Sequence, residues 1–173
     1  MAKSDYDWEN GAVLKEHTAR KLKVLREYFE EYLRVRCVLP QQTRFKLCVV
    51  DGFSGGGRYK NGEPGSPVVI LETLIQLSNE INIERAVDGK APLEIGCRLI
   101  LNDAKPSVIA LLKENLAPLL ANAKEKAPHL VVEVQYLSKK FEVVYPSIRQ
   151  TLLEGRFKNV LFNLDQCGDK MVG

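Results

Sequence analysis

The sequence predicts an α/β domain: a doubly wound, mainly parallel sheet preceded by an N-terminal helix. Three observations lead there. Four short apolar runs, FKLCVVD, CRLILND, VVEVQYL and NVLFNLD, read as strands covered on both faces, as in a parallel sheet. Stretches with helical spacing separate them, which predicts βαβ units with right-handed crossovers. Three of the runs end on an acid, at Asp51, Asp103 and Asp165. In such sheets ligands bind outside the carboxyl ends of the strands, where all three acids fall.

The elements follow in order. Leu14, Leu22, Leu25, Phe29 and Leu33 recur with helical spacing, so a helix is expected from Leu14 to Leu39, stopped by Pro40. The first strand, Phe45–Asp51, runs into a loop with four glycines in six residues. Ser66 then reads as the N-cap of a second helix, with Pro67 in its first turn. Residues 79–95 are polar, contain Gly89 and Pro92, and read as a surface insertion. The second strand (Cys97–Asp103) leads into the helix KPSVIALLKENLAPLLANAKEK. The third (Val131–Leu137) leads into FEVVYPSIRQTLLEGR, with Pro146 near the helix start, and the fourth is Asn159–Asp165. This divides the chain into a helical segment, 1–40, and a sheet domain, 41–173. A doubly wound sheet usually continues past its fourth strand, so the chain reads as the N-terminal part of a longer protein.

Composition narrows the function classes. With 45% apolar and 27% charged residues the chain is an ordinary globular sequence, and its formal net charge of +3 permits nucleic acid without arguing for it. Cys37, Cys48, Cys97 and Cys167 are widely spaced, with no C-x-x-C pair, and read as buried free thiols of a cytoplasmic protein. Two histidines, His17 and His129, give a zinc site little to work with, so no metal is expected. No apolar run reaches membrane-spanning length.

The loop VVDGFSGGGRYKNGEPGSP carries the functional signal. A dinucleotide fingerprint needs G-x-G-x-x-G opening directly into a helix. Here Arg58-Tyr59-Lys60 follows Gly55-Gly56-Gly57, and the helix starts only after Gly65. No G-K-[ST] follows, so it is not a P-loop either. An acid at the first strand end, then a glycine turn, suits a ligand with a cationic amino-acid end and a ribose. Asp51 attracts the ammonium or sulfonium, directly or through water, and Asp103 is placed to accept both ribose hydroxyls. That is the logic of an S-adenosylmethionine pocket. A tight turn and helix-capping aspartates are the structural alternative for the same residues.

HTARKLKVLREYFEEYL, DGFSGGGRYKNGEPGSP and FNLDQCG together resemble the three-Cys-motif partner protein family, itself similar to class I S-adenosylmethionine-dependent methyltransferases. The loop with its following Arg-Tyr is also similar, more distantly, to ribosomal-RNA adenine-N6 methyltransferases. The resemblance implies a Rossmann-like domain of class I type. It implies that Asp51, Phe53, Ser54, Gly55 and Gly57 line the methionine end of the cofactor, and that Asp103 holds the ribose. His17 and Lys21 fall where such enzymes have a segment closing over the cofactor. The cysteines of the family name belong to the partner, a three-Cys-motif protein, and are not those of this chain.

Methylating an amino group requires mainly alignment of the nitrogen lone pair with the sulfonium methyl. Adenine-N6 methyltransferases achieve it with a D/N-P-P-Y/F turn after the fourth strand, and the resembled family has D-P-x-G. This chain reads Asp165-Gln166-Cys167-Gly168: the acid and glycine are kept, the proline and aromatic are not. Asp165 is therefore the candidate catalytic residue, and the third strand offers no acid or amide at its tip for an adenine ring. Lys124, Lys126, Lys139, Lys140, Arg156 and Lys158 are candidate phosphate contacts, or simply a solvated face. Cys167 as methyl acceptor is disfavoured by its neighbours Asp165 and Asp169, because a thiolate needs an electropositive setting. The expected function is methyl transfer to an amino group of a nucleic-acid base. The alternative is a non-catalytic partner protein that keeps the fold to dock or regulate a neighbour. A nucleotide-binding oxidoreductase domain is the third reading, opposed by the missing third glycine.

Overall fold

Strands that are apolar on both faces need cover on both, and the computed structural model, which describes residues 7–165, provides it. A 3-10 turn (Trp8–Asn10) precedes α1 (Glu16–Arg36) and β1 (Arg44–Asp51). Then follow α2 (Ser66–Val87), β2 (Glu94–Asn102), α3 (Pro106–Lys126), β3 (Leu130–Leu137), α4 (Phe141–Glu154) and β4 (Val160–Asn163). The sheet order is β3-β2-β1-β4 and every pairing is parallel, with Leu47 level with Cys97 and Val50 with Phe162. The strand order reverses between β1 and β4, and a crevice at such a switch point is where open α/β sheets bind ligands.

Alternation along the strands assigns the layers. Leu47, Val49, Leu99 and Leu101 face α1, α2 and α3 in the main core, together with Phe29, Leu33, Leu71 and Leu112. Cys48, Val50 and Ile100 point the other way, onto Val144 and Ile148 of α4. Helix α1 is thus part of the main core. Its outer face is tied to α2 by Arg26–Glu72 (2.9 Å) and by Arg34 to Glu80 (2.5 Å) and Glu84 (3.6 Å). Burial pushes the Cys37 and Cys48 thiols up to about 12 and about 11, and raises Cys97 as well. These three are free and buried, as expected; Cys167 lies outside the described residues.

Several boundaries move. Helix α1 stops at Arg36, ahead of Pro40, and Leu14 precedes it, packing instead beside Trp8. Strand β2 starts three residues early, and β4 covers only Val160–Asn163. Pro146 lies within α4 rather than near its start. The larger correction concerns residues 79–95. They are no surface insertion: α2 continues to Val87, and Ile81 and Arg85 are buried. Arg85 donates to the carbonyls of Ala91 (2.8 Å), Leu39 (3.2 Å), Pro40 (3.2 Å) and Gln42, clamping the α1–β1 connection. No described helix is long and apolar enough to cross a membrane.

Candidate functional site

Strands β1, β2 and β4 share a direction, so Asp51, Asp103 and Asp165 gather at one edge of the sheet. They do not play equivalent parts. Asp51 is fully buried. Its carboxylate accepts from Ser66 Oγ (2.5 Å), Phe53 N (3.3 Å) and Asn163 Nδ2 (3.5 Å). Ser66 is therefore not the N-cap of α2: Gly65 holds that position, and the Ser66 hydroxyl binds Asp51. Burial raises the Asp51 carboxyl to about 6, against the lowering by Ser66, Phe53 and Asn163, and the nearby Asp165 adds to the rise.

This gives Asp51 a measurable signature. Its carboxyl is raised from 3.8 to about 6, so the folded state binds the proton more tightly than the unfolded chain. The associated stability is fully present below the unfolded value and lost as pH rises through the folded one. The unfolding free energy of the parent minus that of Asp51→Asn should fall by about 2 kcal/mol between about pH 4 and about pH 7. Denaturant titrations across that range check it, and a flat difference contradicts it.

Asp103 is half-buried. Its Oδ2 accepts from Gly55 N (3.2 Å) and Oδ1 from Lys105 N (3.0 Å), so it pins the glycine turn and leads the chain into α3. Burial raises its carboxyl, and the Lys105 and Gly55 amides oppose that. Each oxygen keeps lone-pair capacity for a further donor. Beside it Asn102, buried, donates to the carbonyls of Gly52 (3.1 Å) and Lys139 (2.8 Å), joining the loops after β1 and β3.

The glycine turn is filled from within. Gly55, at φ +68°, would place a Cβ 2.4 Å from the Trp8 ring, and at Gly56 a Cβ would lie 2.8 Å from Leu111 and 3.0 Å from Trp8. Gly57, at φ +90°, meets Leu112. Trp8 is buried and packs on Tyr59, with centroids 4.7 Å apart. The turn approaches this indole, a partner that the motif reading did not include. A lone tryptophan among polar residues was the available signal, since such a ring is seldom left in water.

Between α1, the glycine turn and β4 lies a cavity of about 30 Å³. Trp8 and Tyr59 wall it on one side, and Thr18, Lys21, Ser54, Ser66, Asn163 and Asp165 supply its polar lining. Lys21 Nζ lies 3.2 Å from Asp165 Oδ1, so two residues picked separately from sequence meet in one ion pair. His17 is exposed and does not line this cavity. Phe53 packs against Phe141 with the rings tilted and their centroids 5.8 Å apart. Sequence reading missed Thr18, Ser66, Asn163, Trp8 and Tyr59. Gln166, Cys167 and Gly168 of the expected acceptor turn lie outside the described residues.

Of the basic clusters, only Lys139 and Lys140 follow β3 at this edge, and both are exposed. Lys124 and Lys126 end α3 at the opposite edge, and Arg156 and Lys158 precede β4 there as well. No protein-family model and no curated protein matches this chain significantly.

Proposed function

We propose that this chain is an S-adenosylmethionine-binding protein of class I methyltransferase type, related to the three-Cys-motif partner proteins, and that it transfers a methyl group to an amino group of a nucleic-acid base. One observation carries the reading: the acid-lined cavity at the strand-order reversal, with Asp103 at the tip of the adjoining strand. The residues fit such a ligand in part. The cavity, about 30 Å³, suits one polar end of it, and ligand pockets as a whole run to about 300 Å³ or more. In this reading Ser54 and the glycine turn hold the amino-acid end, and Asp103 accepts the ribose hydroxyls.

When bound, the cofactor supplies an electrophilic methyl group. The protein's task is then alignment. Asp165 accepts a hydrogen bond from the acceptor amino group and orients its lone pair. Lys21 screens that carboxylate until the acceptor arrives. In this reading Lys139 and Lys140, exposed just after β3 at the same edge, contact the phosphate backbone. The Lys21–Asp165 pair and the indole over the glycine turn also support a second reading, a partner protein that docks a three-Cys-motif protein and keeps the fold without the chemistry.

Calorimetric titration with S-adenosylmethionine tests the first reading. Asp103→Asn keeps an acceptor for only one of the Gly55 and Lys105 amides and loses the charge, and it should weaken binding about 10-fold while the protein stays folded. Equal affinity of variant and parent removes Asp103 from the site.

A further inference from the structure

The outer edge of β3 is open along its length. In the parallel ladder with β2, Ile95 N donates to the carbonyl of His129 (2.9 Å) and Asp103 N to that of Leu137 (3.3 Å). Odd-numbered residues of β3 therefore turn their main-chain groups toward β2, and Leu130, Val132, Val134 and Tyr136 turn theirs outward. Leu130 N returns to the Ala127 carbonyl (3.0 Å). The N–H and C=O groups of Val132, Val134 and Tyr136 have no protein partner among the described residues. Edge strands are ordinarily guarded by lysine, proline, a bulge or shortness. β3 has none of these: it is eight residues long, reads LVVEVQYL, and keeps an unbroken register to β2.

Alternation sends the side chains of Val132, Val134 and Tyr136 toward α3, where they are half-buried against the main core. With Leu120 and Ala123 of α3 they wall an apolar groove of about 550 Å³ beside the open edge. Among the described residues its lining contains no carboxylate, and Lys124 supplies its charge. Near the far end Lys113, about three turns earlier on the same face of α3, stands over the Tyr136 ring (5.3 Å). Glu133 points to the opposite face of the sheet, where it pairs with Arg98 (2.8 Å).

We propose that this edge and groove receive an extended peptide segment of another protein, which adds as a strand beside β3 and carries an acidic residue at each end. The main-chain groups identify a strand, because another extended backbone matches donors and acceptors that alternate along an edge. Alternate side chains of the segment enter the groove, whose walls call for aliphatic residues. The two lysines set its charge. They lie about 16 Å apart along α3, the length of about five or six strand residues, so the acids flank a short apolar core. A second copy of this chain suits the edge less well: two-fold pairing of β3 with its copy brings Lys113 of each α3 toward Lys124 of the other. The inference is independent of the cofactor reading, since none of these residues lines the cavity between α1 and β4.

The test titrates capped heptapeptides calorimetrically into the full chain. The first has glutamate at both ends, valine at its third and fifth positions and threonine between; the second has lysine at both ends. The parent should bind the first saturably and at least about 5-fold more tightly than the second, and the double variant Lys113→Glu, Lys124→Glu should reverse that order. N-methylation of one alternate set of peptide amides should lower affinity at least about 10-fold, and of the other set less than about 2-fold, because only one set faces β3. Val134→Pro removes an outward N–H and leaves the ladder to β2 intact, so it should lower affinity about 10-fold. The methylated peptides need no variant and decide the matter if that one does not fold. Equal loss from both methylated sets, or loss from neither, overturns the added strand. Equal affinity for the two charge forms removes Lys113 and Lys124 as its end contacts. Binding of neither peptide overturns the proposal, and a parent that sediments as a dimer while Val134→Pro sediments as a monomer gives the edge to a second copy instead.

Discussion

Arg85→Ala should destabilise the protein by about 3–5 kcal/mol, with an unchanged denaturant slope. Arg85 is 5% exposed, and its guanidinium serves four backbone carbonyls, three of them in the connection between α1 and β1. Removing it strands those acceptors at about 1–3 kcal/mol for each one that water does not reach, and leaves a void between α2 and the connection. Arg85→Lys should cost roughly half as much, because an ammonium is a point donor and cannot reproduce the planar fork. Urea titrations decide the matter. A loss below about 1 kcal/mol for the alanine variant would mean that the clamp is dispensable.

Gly55→Ala is the second large effect, about 2–4 kcal/mol, and it has two separable causes. At φ +68° an alanine costs about 1 kcal/mol on backbone grounds alone. The new Cβ also meets the Trp8 ring at 2.4 Å, and overpacking of this kind adds about 1–3 kcal/mol. Trp8→Ala removes the second cause, so in that background Gly55→Ala should cost only about 1 kcal/mol. Identical costs in the two backgrounds would show that the indole does not impose the glycine.

The architecture was readable because a parallel sheet leaves a strong trace: FKLCVV and CRLILN are apolar without alternation, since both faces are covered. Strand β4 was less so. It lies at the sheet edge, is four residues long, and none of its residues is fully buried. Residues 79–87 of α2 were misread because most of their polar side chains are at least partly exposed, and only Ile81 and Arg85 among them are buried. Nothing local marks Arg85 as buried, because three of its partners lie 43 to 46 residues earlier in the chain.

The site was legible in outline and not in detail. Strand-end acids announced the carboxyl edge, and parallel pairing delivered all three there. What each acid does depends on its neighbours across the crevice. Asp51 is consumed by Ser66, Phe53 and Asn163, while Asp165 meets Lys21 from α1, 144 residues away. Ser66-Pro67 looks locally like a helix cap, and only the folded chain shows that the hydroxyl has a stronger acceptor in a buried carboxylate. Thr18 sits on a helix whose sequence gives no sign that one hydroxyl is buried with no hydrogen-bond partner among the described residues.

The central claim is that the carboxyl edge beside β1 and β4 holds S-adenosylmethionine and not a dinucleotide. Calorimetric titration of this chain with S-adenosylmethionine and, separately, with NAD tests it most directly. The account predicts saturable one-to-one binding of S-adenosylmethionine and none of NAD. Binding of NAD, or of neither, would contradict it.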